Sequence, residues 1–386
     1  MDTPDDAAVG WTVHVTPITD EHRAIPGVMF GGWGPHLGHL VQTQDASYWV
    51  DDVCSRAVLG DCNVDVNRRV GVFRHAQGGW QRVATIPLGG VQQNTATIAD
   101  GDRLRIYGIA SGAQRVIECT YELVGGATSC TTIAIPTGAG ANYVGAAVVG
   151  TSRIVWWTNV VNGGGGSFSY IVDYGGGWNG PRTGAIGGYN DCAYTHAGTR
   201  PDGTLDTFCQ VVSGNAPNWT FATLVGTAPA GLDAPVAWSN GLAAPALDPI
   251  ISTNDLLVDV AGTAHLLARS SNGAAIYYAK PAMGAYARIV DLPATYRARW
   301  LVDGDRVALA RDVGRSQLVV SISPPAPTEL VIAEWETVVV DLPEGFGDIL
   351  AIYPLAPAYQ RSPVTALQLV VVGSTDEQLA LHVAIE

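Results

Sequence analysis

Charged residues are scarce in this sequence. Only 15% of its 386 residues are Asp, Glu, Lys or Arg, and the acidic ones dominate, so the net charge is −14. No basic stripe is present, which argues against a nucleic-acid partner because phosphates are bound mainly by Lys and Arg. The same acidity disfavours an anionic membrane surface, and no apolar run has the length of a membrane-spanning helix. We therefore expect a monomer that binds neither nucleic acid nor membrane.

Helical periodicity is also lacking. Apolar residues rarely recur at a spacing of 3.6 in the stretches between Gly and Pro, whereas 46 glycines and 22 prolines indicate many turns. Hydrophobic residues still make up 47% of the chain, which is ample for a large core. Abundant turns with short apolar runs are typical of an all-β protein.

Several sequence motifs of catalysis and metal binding are missing: there is no nucleophile elbow, no HExxH, no phosphate loop and no CxxC. The six cysteines instead form three close pairs, which are Cys54 and Cys62, Cys119 and Cys130, and Cys192 and Cys209. We expect three local disulfides and hence a secreted or periplasmic protein whose leader has been removed. Thiolate metal binding and buried free thiols stay open as alternatives.

One type of strand recurs along the chain. It is an apolar run led by polar residues, and its copies start at His36, Gln92, Asn142, Tyr189, Thr253, Tyr296 and Gly347. The copies are roughly 40 to 65 residues apart, as expected for propeller blades of four strands. A second strand follows each copy, in three places after a turn of the DG type ("ADGDR", "PDGTL", "VDGDR"), which predicts a hairpin.

These repeats resemble those of the seven-bladed β-propeller superfamily, which includes secreted bacterial enzymes. The resemblance implies one propeller domain over residues 1–386. The last blade has three clear strands, and "GWTVHVTPI" at residues 10–18 resembles an outer strand, so we expect the two chain ends to close the ring in one blade. Blade 4 is the least regular, with a long insertion between Val212 and Asp248.

Polar residues gather where the first strands of the blades begin. Because these starts surround the channel of a propeller, convergence there is typical of a ligand site. His36 and His39 precede the first copy, and we expect at least one of them to face the funnel, with a structural role in blade contacts as the alternative.

Asparagine and aspartate repeat at the later blade starts. The residues are Asn190, Asp191, Asn254, Asp255 and Asp348. Their oxygens would suit a divalent cation, Ca²⁺ above all, and the alternative is ordinary Asx turns. The set is similar in residue type to the calcium site of paraoxonase-like propeller lactonases. This similarity implies a hydrolase that polarises an ester, lactone or phosphoester oxygen by the cation and uses His36 or His39 as base.

Tyr189, Arg297 and Arg299 favour a different chemistry. An arginine neutralising a uronate, with Tyr or His moving protons, is typical of a polysaccharide lyase, and a glycosidase is a related possibility. A non-catalytic propeller that binds glycans or peptides is the third alternative. The sequence thus leaves open a small-molecule or a saccharide substrate, with the metal-dependent hydrolase as its main prediction.

Overall fold

The structure is a computed structural model that describes most of the chain. The described residues are 10–18, 39–54, 68–76, 79–88, 95–109, 114–138, 141–159, 166–186, 191–213, 220–243, 255–269, 275–325, 331–357, 364, 366–374 and 380–386. Within these ranges the chain is mainly β-strand, and a 3-10 turn lies at Ile332–Glu334. No helix in the described ranges has the length and apolar character needed to cross a membrane.

The described strands form seven antiparallel sheets of four strands each. The sheets are called blades 1 to 7 in chain order, and the strands of each blade are given from the innermost strand outward. Blade 1 contains β2 (Leu40–Gln42), β3 (Ser47–Cys54), β4 (Arg68–Ala76) and β5 (Gly79–Ile86). Blade 2 contains β6 (Ala96–Asp100), β7 (Arg103–Ile109), β8 (Arg115–Glu122) and β9 (Thr128–Pro136). Blade 3 contains β10 (Ala141–Val149), β11 (Ser152–Asn159), β12 (Ser167–Asp173) and β13 (Trp178–Ala185).

The remaining blades follow the same order of strands. Blade 4 contains β14 (Asp191–Thr199), β15 (Leu205–Ser213), β16 (Thr220–Ala228) and β17 (Ala237–Ala243). Blade 5 contains β18 (Asp255–Val258), β19 (Ala264–Arg269), β20 (Ala275–Lys280) and β21 (Ala287–Leu292). Blade 6 contains β22 (Ala298–Asp303), β23 (Arg306–Val313), β24 (Gln317–Ile322) and β25 (Glu336–Val340). Blade 7 contains β26 (Ile349–Pro354), β27 (Leu367–Gly373), β28 (Ala380–Ile385) and, as its outer strand, β1 (Val13–Ile18).

The hairpins between the first and second strands confirm the predicted DG turns. Gly101, Gly203 and Gly304 follow the aspartates of the three motifs, and each has a positive φ, of 66°, 83° and 56°. Only glycine adopts this left-handed region without a steric penalty, so these residues reverse the chain tightly. The tight reversal sets the pairing of the two innermost strands in each of these blades.

The chain ends close the ring, as the sequence predicts. Strand β1 pairs antiparallel with β28, beginning with Val13 opposite Ile385. A parallel bridge from Leu40 to Leu355 joins the innermost strands of blades 1 and 7, and the Ser47 hydroxyl donates to Gln368 Oε1 at 2.9 Å between the same blades. This pairing removes the open sheet edges that an unclosed blade would expose.

The core lies between the faces of neighbouring blades. Large aromatic side chains fill these spaces, and Trp49, Trp156, Trp157 and Trp300 are each fully buried. Because the sheets stand radially, each innermost strand turns its unpaired edge toward the axis. The axis is therefore a place where backbone N–H and C=O groups and inward side chains meet.

Two details refine the sequence prediction. The stretch between Val212 and Asp248 is not an insertion into blade 4, because it contains strands β16 and β17.

The predicted disulfide between Cys119 and Cys130 is present and joins directly opposed positions of β8 and β9, which is compatible with an oxidising compartment.

The other two cysteine pairs are only partly described. Cys209 is disulfide-bonded, while the side chain of its predicted partner Cys192 lies outside the described part of the chain. Cys62 also lies outside the described residues, so the predicted pairing with Cys54 stays a prediction.

Candidate functional site

A cavity of about 90 Å³ lies on the propeller axis. The innermost strands of blades 3 to 7 all contribute to its wall. The lining residues are Val148, His196, Gly198, Thr199, Asp255, Leu256, Leu257, Val258, Trp300, Pro354, Ala356 and Pro357. Several of them are the last residues of their strands, so the cavity lies toward the end of the channel at which the innermost strands finish.

His196 and Asp255 are the titratable side chains of this wall. His196 Nδ1 lies 3.2 Å from Asp255 Oδ1, and both residues are buried. Neither ring nitrogen has a hydrogen-bond partner of good geometry among the described residues. Both ring nitrogens are buried, and Nδ1 is the one that faces the carboxylate.

Asp255 links three consecutive blades. Its Oδ1 accepts the N–H of Leu256 at 2.9 Å, and its Oδ2 accepts the N–H of Trp300 on β22 at 2.7 Å. Since β22 is an innermost strand with a free edge, this carboxylate satisfies a backbone donor that would otherwise face the channel. The same side chain approaches His196 on β14, so it joins blades 4, 5 and 6.

The environment favours a neutral imidazole beside an ionised carboxylate. Burial lowers the pKa of His196, and the nearby Asp255 only partly opposes this effect. For Asp255, burial works against the charged form, but contacts with His196, the charge of Arg299 and the backbone N–H of Trp300 outweigh it and lower the pKa. The cavity wall therefore carries an acceptor nitrogen next to a negative charge at neutral pH.

Packing holds the imidazole of His196 in one orientation. The ring of Phe208 stacks on it with centroids 5.3 Å apart and planes inclined by 10°. The hydroxyl of Thr207 donates to the backbone oxygen of His196 at 2.6 Å. Gly198 lets strands β14 and β18 approach, because a Cβ there would lie 2.8 Å from Val258 Cγ2.

The two arginines predicted at the site lie on β22 or directly before it. Arg297 Nε donates to the carbonyl of Leu350 in blade 7 at 2.6 Å, so this side chain contacts the neighbouring blade. Arg299 is fully buried, and its Nη1 donates to the carbonyl of Ala298 at 2.7 Å. Its charge lowers the pKa values of both His196 and Asp255, which places it electrostatically close to the cavity.

His39, by contrast, is buried between blades 1 and 7. Its Nδ1–H donates to the carbonyl of Val50 at 2.7 Å, and its ring lies 4.9 Å from that of Tyr353. Burial lowers the pKa of His39 to about 4, more strongly than the hydrogen bond to Val50 raises it. These contacts are those of a histidine that packs one blade against the next.

We expect the pKa of His39 to make folding sensitive to acid. The unfolded side chain takes up a proton near pH 6.5, whereas the folded one remains neutral down to about pH 4. The unfolded state thus binds more protons in this interval, and stability falls as pH falls. From pH 7 to pH 5 the loss due to this group is about 2 kcal/mol.

Urea unfolding at the two pH values measures this loss. In the variant His39→Asn the difference between pH 7 and pH 5 should shrink by about 2 kcal/mol relative to the wild type. His14→Asn is the control, because His14 has a side chain that is 58% exposed. Equal pH dependence in the wild type and His39→Asn would contradict the assignment.

Four of the predicted site residues lie outside the described residues, namely His36, Tyr189, Asn190 and Asn254. Strand β14 begins at Asp191, but its side chain also lies outside the described part. Asp348 is exposed, and its backbone N–H donates to Ser374 Oγ at 2.8 Å. In the described ranges no group of three or more His, Cys, Asp or Glu is arranged to hold a metal. The calcium site therefore stays a prediction.

Sequence reasoning singled out Asp255 but did not pair it with His196. The two residues are distant in the sequence, and only the neighbouring positions of β14 and β18 bring them together. One signal was available: His196 ends the polar-led run "YNDCAYTH", which the repeat places on an innermost strand. A position late in such a strand predicts that the residue lies toward the far end of the channel, which is where the cavity lies.

These observations define a seven-bladed β-propeller with a buried histidine–aspartate pair on its axis. The fold is similar to that of the polysaccharide lyase Uly1, with a TM-score of 0.55 and 11% identity over 96% of this chain and 98% of that chain. It is also similar to the lectin BP39L from Burkholderia pseudomallei, with a TM-score of 0.55 and 14% identity over 91% of this chain and 96% of that chain.

A third similar structure is a protein of unknown function from Dyadobacter fermentans, with a TM-score of 0.51 and 14% identity over 97% of this chain and 99% of that chain. No protein-family profile matches the sequence. No curated protein matches it either. At identities this low, the similarities establish the propeller fold and nothing finer.

Proposed function

We propose that this propeller binds a carbohydrate at the end of its channel where the innermost strands finish. The observation that carries the proposal is the pair of His196 and Asp255 in the wall of the axial cavity. Two of the similar propellers are described as a polysaccharide lyase and a lectin, which adds support without assigning a ligand. The secreted or periplasmic location expected from the cysteines would expose the protein to such ligands.

The chemistry of the wall suits a sugar. Aliphatic side chains such as Leu257 and Val258 can pack against C–H groups, while His196 and Asp255 are the polar titratable side chains of the wall. A sugar presents both kinds of surface, apolar ring faces and hydroxyl groups. The arrangement resembles a binding site in which a few polar atoms orient a ligand held mostly by apolar contact.

Cleavage of the bound glycan is a second candidate function. It is favoured by the neutral state of His196, because a neutral imidazole oriented by a carboxylate is a competent proton acceptor near pH 7. Arg299 would add positive charge near developing negative charge. In such an elimination His196 would take the proton next to the carboxyl group of a uronate, a C=C bond would form as the glycosidic C–O bond breaks, and the departing oxygen would take a proton from Tyr189. Arg297 keeps the role of neutralising the uronate that the sequence predicts for a lyase.

The metal-dependent ester hydrolase ranks below these functions. The oxygens of Asp255 already accept two backbone N–H groups, which leaves this carboxylate poorly placed to ligate a cation. Calcium coordination by Asn190, Asp191 and Asn254 remains a proposal that a chelator can test. If a chelator abolished glycan binding, this result would indicate that a bound cation contributes to the site.

A glycan array probed with the labelled protein tests the proposed function. We expect the wild type to bind a defined set of glycans and His196→Phe to bind them about tenfold more weakly or worse, because the acceptor is removed. Phenylalanine keeps the stacking on Phe208, and His14→Ala serves as a control at an exposed position. A rise in ultraviolet absorbance when the protein is mixed with acidic polysaccharides would then reveal cleavage by elimination.

Two results would overturn the proposal. The first is a folded wild type that binds no glycan on the array and cleaves no polysaccharide. The second is a folded His196→Phe variant that binds the same glycans as tightly as the wild type does.

A further inference from the structure

Histidines lie at both ends of the junction where blade 7 meets blade 1 and the ring closes. His39 contacts Tyr353 at the inner end of this junction. At the outer end, the ring centroid of His382 on β28 lies 5.2 Å from that of His75 on β4 and 5.1 Å from that of Trp80 on β5. Three of the eight histidines of the chain therefore lie at one contact between blades.

His382 is neutral in the closed junction. It is buried, and its Nε2 lies 3.1 Å from Gln368 Oε1, the oxygen that also accepts the hydroxyl of Ser47 in blade 1. Because an amide oxygen only accepts hydrogen bonds, the proton of the neutral ring lies on Nε2. Burial lowers the pKa of His382 to about 3, and the neighbouring His75 adds to the lowering.

The titratable group that faces His382 across the junction is another histidine, His75. Trp80 is uncharged, and no carboxylate of the described residues contributes to the pKa of His382. Farther along β1, His14 lies 3.9 Å from Glu386, but both of these side chains are exposed to water. A second proton on His382 would therefore have no negative charge beside it in the described part of the chain.

The other buried histidines differ from His382 in this respect. His39, His196 and His265 each have a carboxylate oxygen close to a ring nitrogen. These oxygens belong to Asp51 at 3.6 Å, Asp255 at 3.2 Å and Asp259 at 3.0 Å, in that order. A proton bound at these three rings would meet a negative charge, whereas a proton bound at His382 would meet His75. Acid therefore acts most unfavourably at the junction of blades 7 and 1.

We propose that His75, Trp80 and His382 form an acid-sensitive latch: protonation of His382 releases β28 and β1 of blade 7 from blade 1 while the other blades remain folded. A charged ring buried against Trp80 is unfavourable, and two imidazolium rings at this distance repel each other. Blade 7 also supplies Pro354 and Ala356 to the wall of the axial cavity, so opening of the latch would loosen one side of that wall. The latch itself does not depend on carbohydrate binding.

Proton linkage gives the direction and size of the pH effect. In an open junction His382 is exposed to water and takes up a proton near pH 6.5, whereas in the closed junction it does so only near pH 3. Between these values the open state binds more protons, so its population rises as pH falls. From pH 7 to pH 5 this group raises the equilibrium constant for opening about 25-fold.

Hydrogen–deuterium exchange of the full wild-type chain tests the latch. Between pH 7 and pH 5 we expect the protection of β1 and β28 to fall about 25-fold or more, after correction for intrinsic exchange rates. At pH 5 their exchange should be at least about tenfold faster than that of β11 and β12 in blade 3. It should also depend only weakly on low concentrations of urea, because a local opening exposes little surface.

The variant His382→Phe removes the titrating group and keeps an aromatic ring against Trp80. Its loss of protection at β1 and β28 between the two pH values should be about 25-fold smaller than that of the wild type. His382→Gln keeps an N–H donor for Gln368 and should show the same result, which covers the case of a phenylalanine variant that does not fold. His14→Asn is the control on β1, at a side chain that is exposed, and should keep the wild-type response.

The proposal fails if β1 and β28 exchange at pH 5 with the same rate and the same urea dependence as blade 3, because the ring then opens only by global unfolding. It also fails if a folded His382→Phe or His382→Gln variant shows the wild-type change between pH 7 and pH 5. The wild-type comparison decides the matter even if neither variant folds. None of these results depends on whether the protein binds a glycan, so the latch and the proposed function stand or fall separately.

Discussion

Replacing Arg153 by methionine should lower the free energy of unfolding by about 3–5 kcal/mol. Arg153 lies on β11 in blade 3, and its Nη2 forms an ion pair with Asp173 of the same blade. Its Nη1 lies 3.5 Å from Glu118 Oε1 and its Nε 3.7 Å from Asp100 Oδ2, both in blade 2. The side chain thus neutralises carboxylates of two neighbouring blades in a buried space.

The large loss of stability follows from the buried carboxylates that remain after the arginine is removed. Methionine keeps much of the side-chain volume, so cavity formation is not the main cost. The remaining cation of the cluster is Arg105, which pairs with Asp100 at 2.7 Å and with Glu118. Asp173 would keep the N–H groups of Gly175 and Gly177 but would lose its guanidinium partner in a buried place. A buried carboxylate without a counter-charge is strongly destabilising.

An exposed ion pair provides the control. Arg288 pairs with Asp291 on β21, and the two side chains are 57% and 59% exposed. Because water screens this pair, Arg288→Met should cost less than about 1 kcal/mol. Urea unfolding of both variants measures the contrast. If Arg153→Met and Arg288→Met lose similar stability, the cluster does not hold blades 2 and 3 together.

The second large effect is expected at Gly145, where even one added methyl group does not fit. Gly145 on β10 faces Trp156 on β11, and a Cβ at this position would lie 2.1 Å from Trp156 Cε2. Trp156 is fully buried within the hydrophobic core, so its indole can move only by displacing packed neighbours. We expect Gly145→Ala to lower the free energy of unfolding by about 3 kcal/mol, at the upper end of the usual cost of overpacking.

Gly176 is the matched control, since it lies in an exposed turn with no heavy atom within 4 Å of an added Cβ. The change Gly176→Ala should alter stability by no more than about 0.5 kcal/mol. Thermal or urea unfolding of the pair tests the prediction. A Gly145→Ala variant as stable as Gly176→Ala would show that β10 and the indole can separate at little cost.

Repetition made the fold readable in the sequence. Each blade repeats a polar-led apolar run, a turn and a second strand, and such local patterns depend on residues close together in the chain. The closure by the chain ends could also be predicted, because residues 10–18 resemble an outer strand and the last blade has only three clear strands of its own. Blade 4 was misjudged between Val212 and Asp248, where small and polar residues obscure the alternation of β16 and β17.

The site was harder to predict from the sequence, because its side chains come from different blades. The sequence placed His39 near the first innermost strand, but only the packed blades show that it bonds to Val50 and contacts Tyr353. His196 and Asp255 belong to separate repeats, and no local spacing relates them. Their 3.2 Å contact arises from the positions of β14 and β18 around the axis.

The sequence alone therefore determined the all-β class, the number of blades, the position of the hairpin turns and the closing strand. These features follow from hydrophobic alternation and turn chemistry, which act over a few residues. Tertiary structure alone decided which polar groups meet, which histidine is neutral in a cavity wall and which is packed between blades. Those outcomes depend on burial and on distances between strands far apart in the chain, and such distances exist only once the ring is closed.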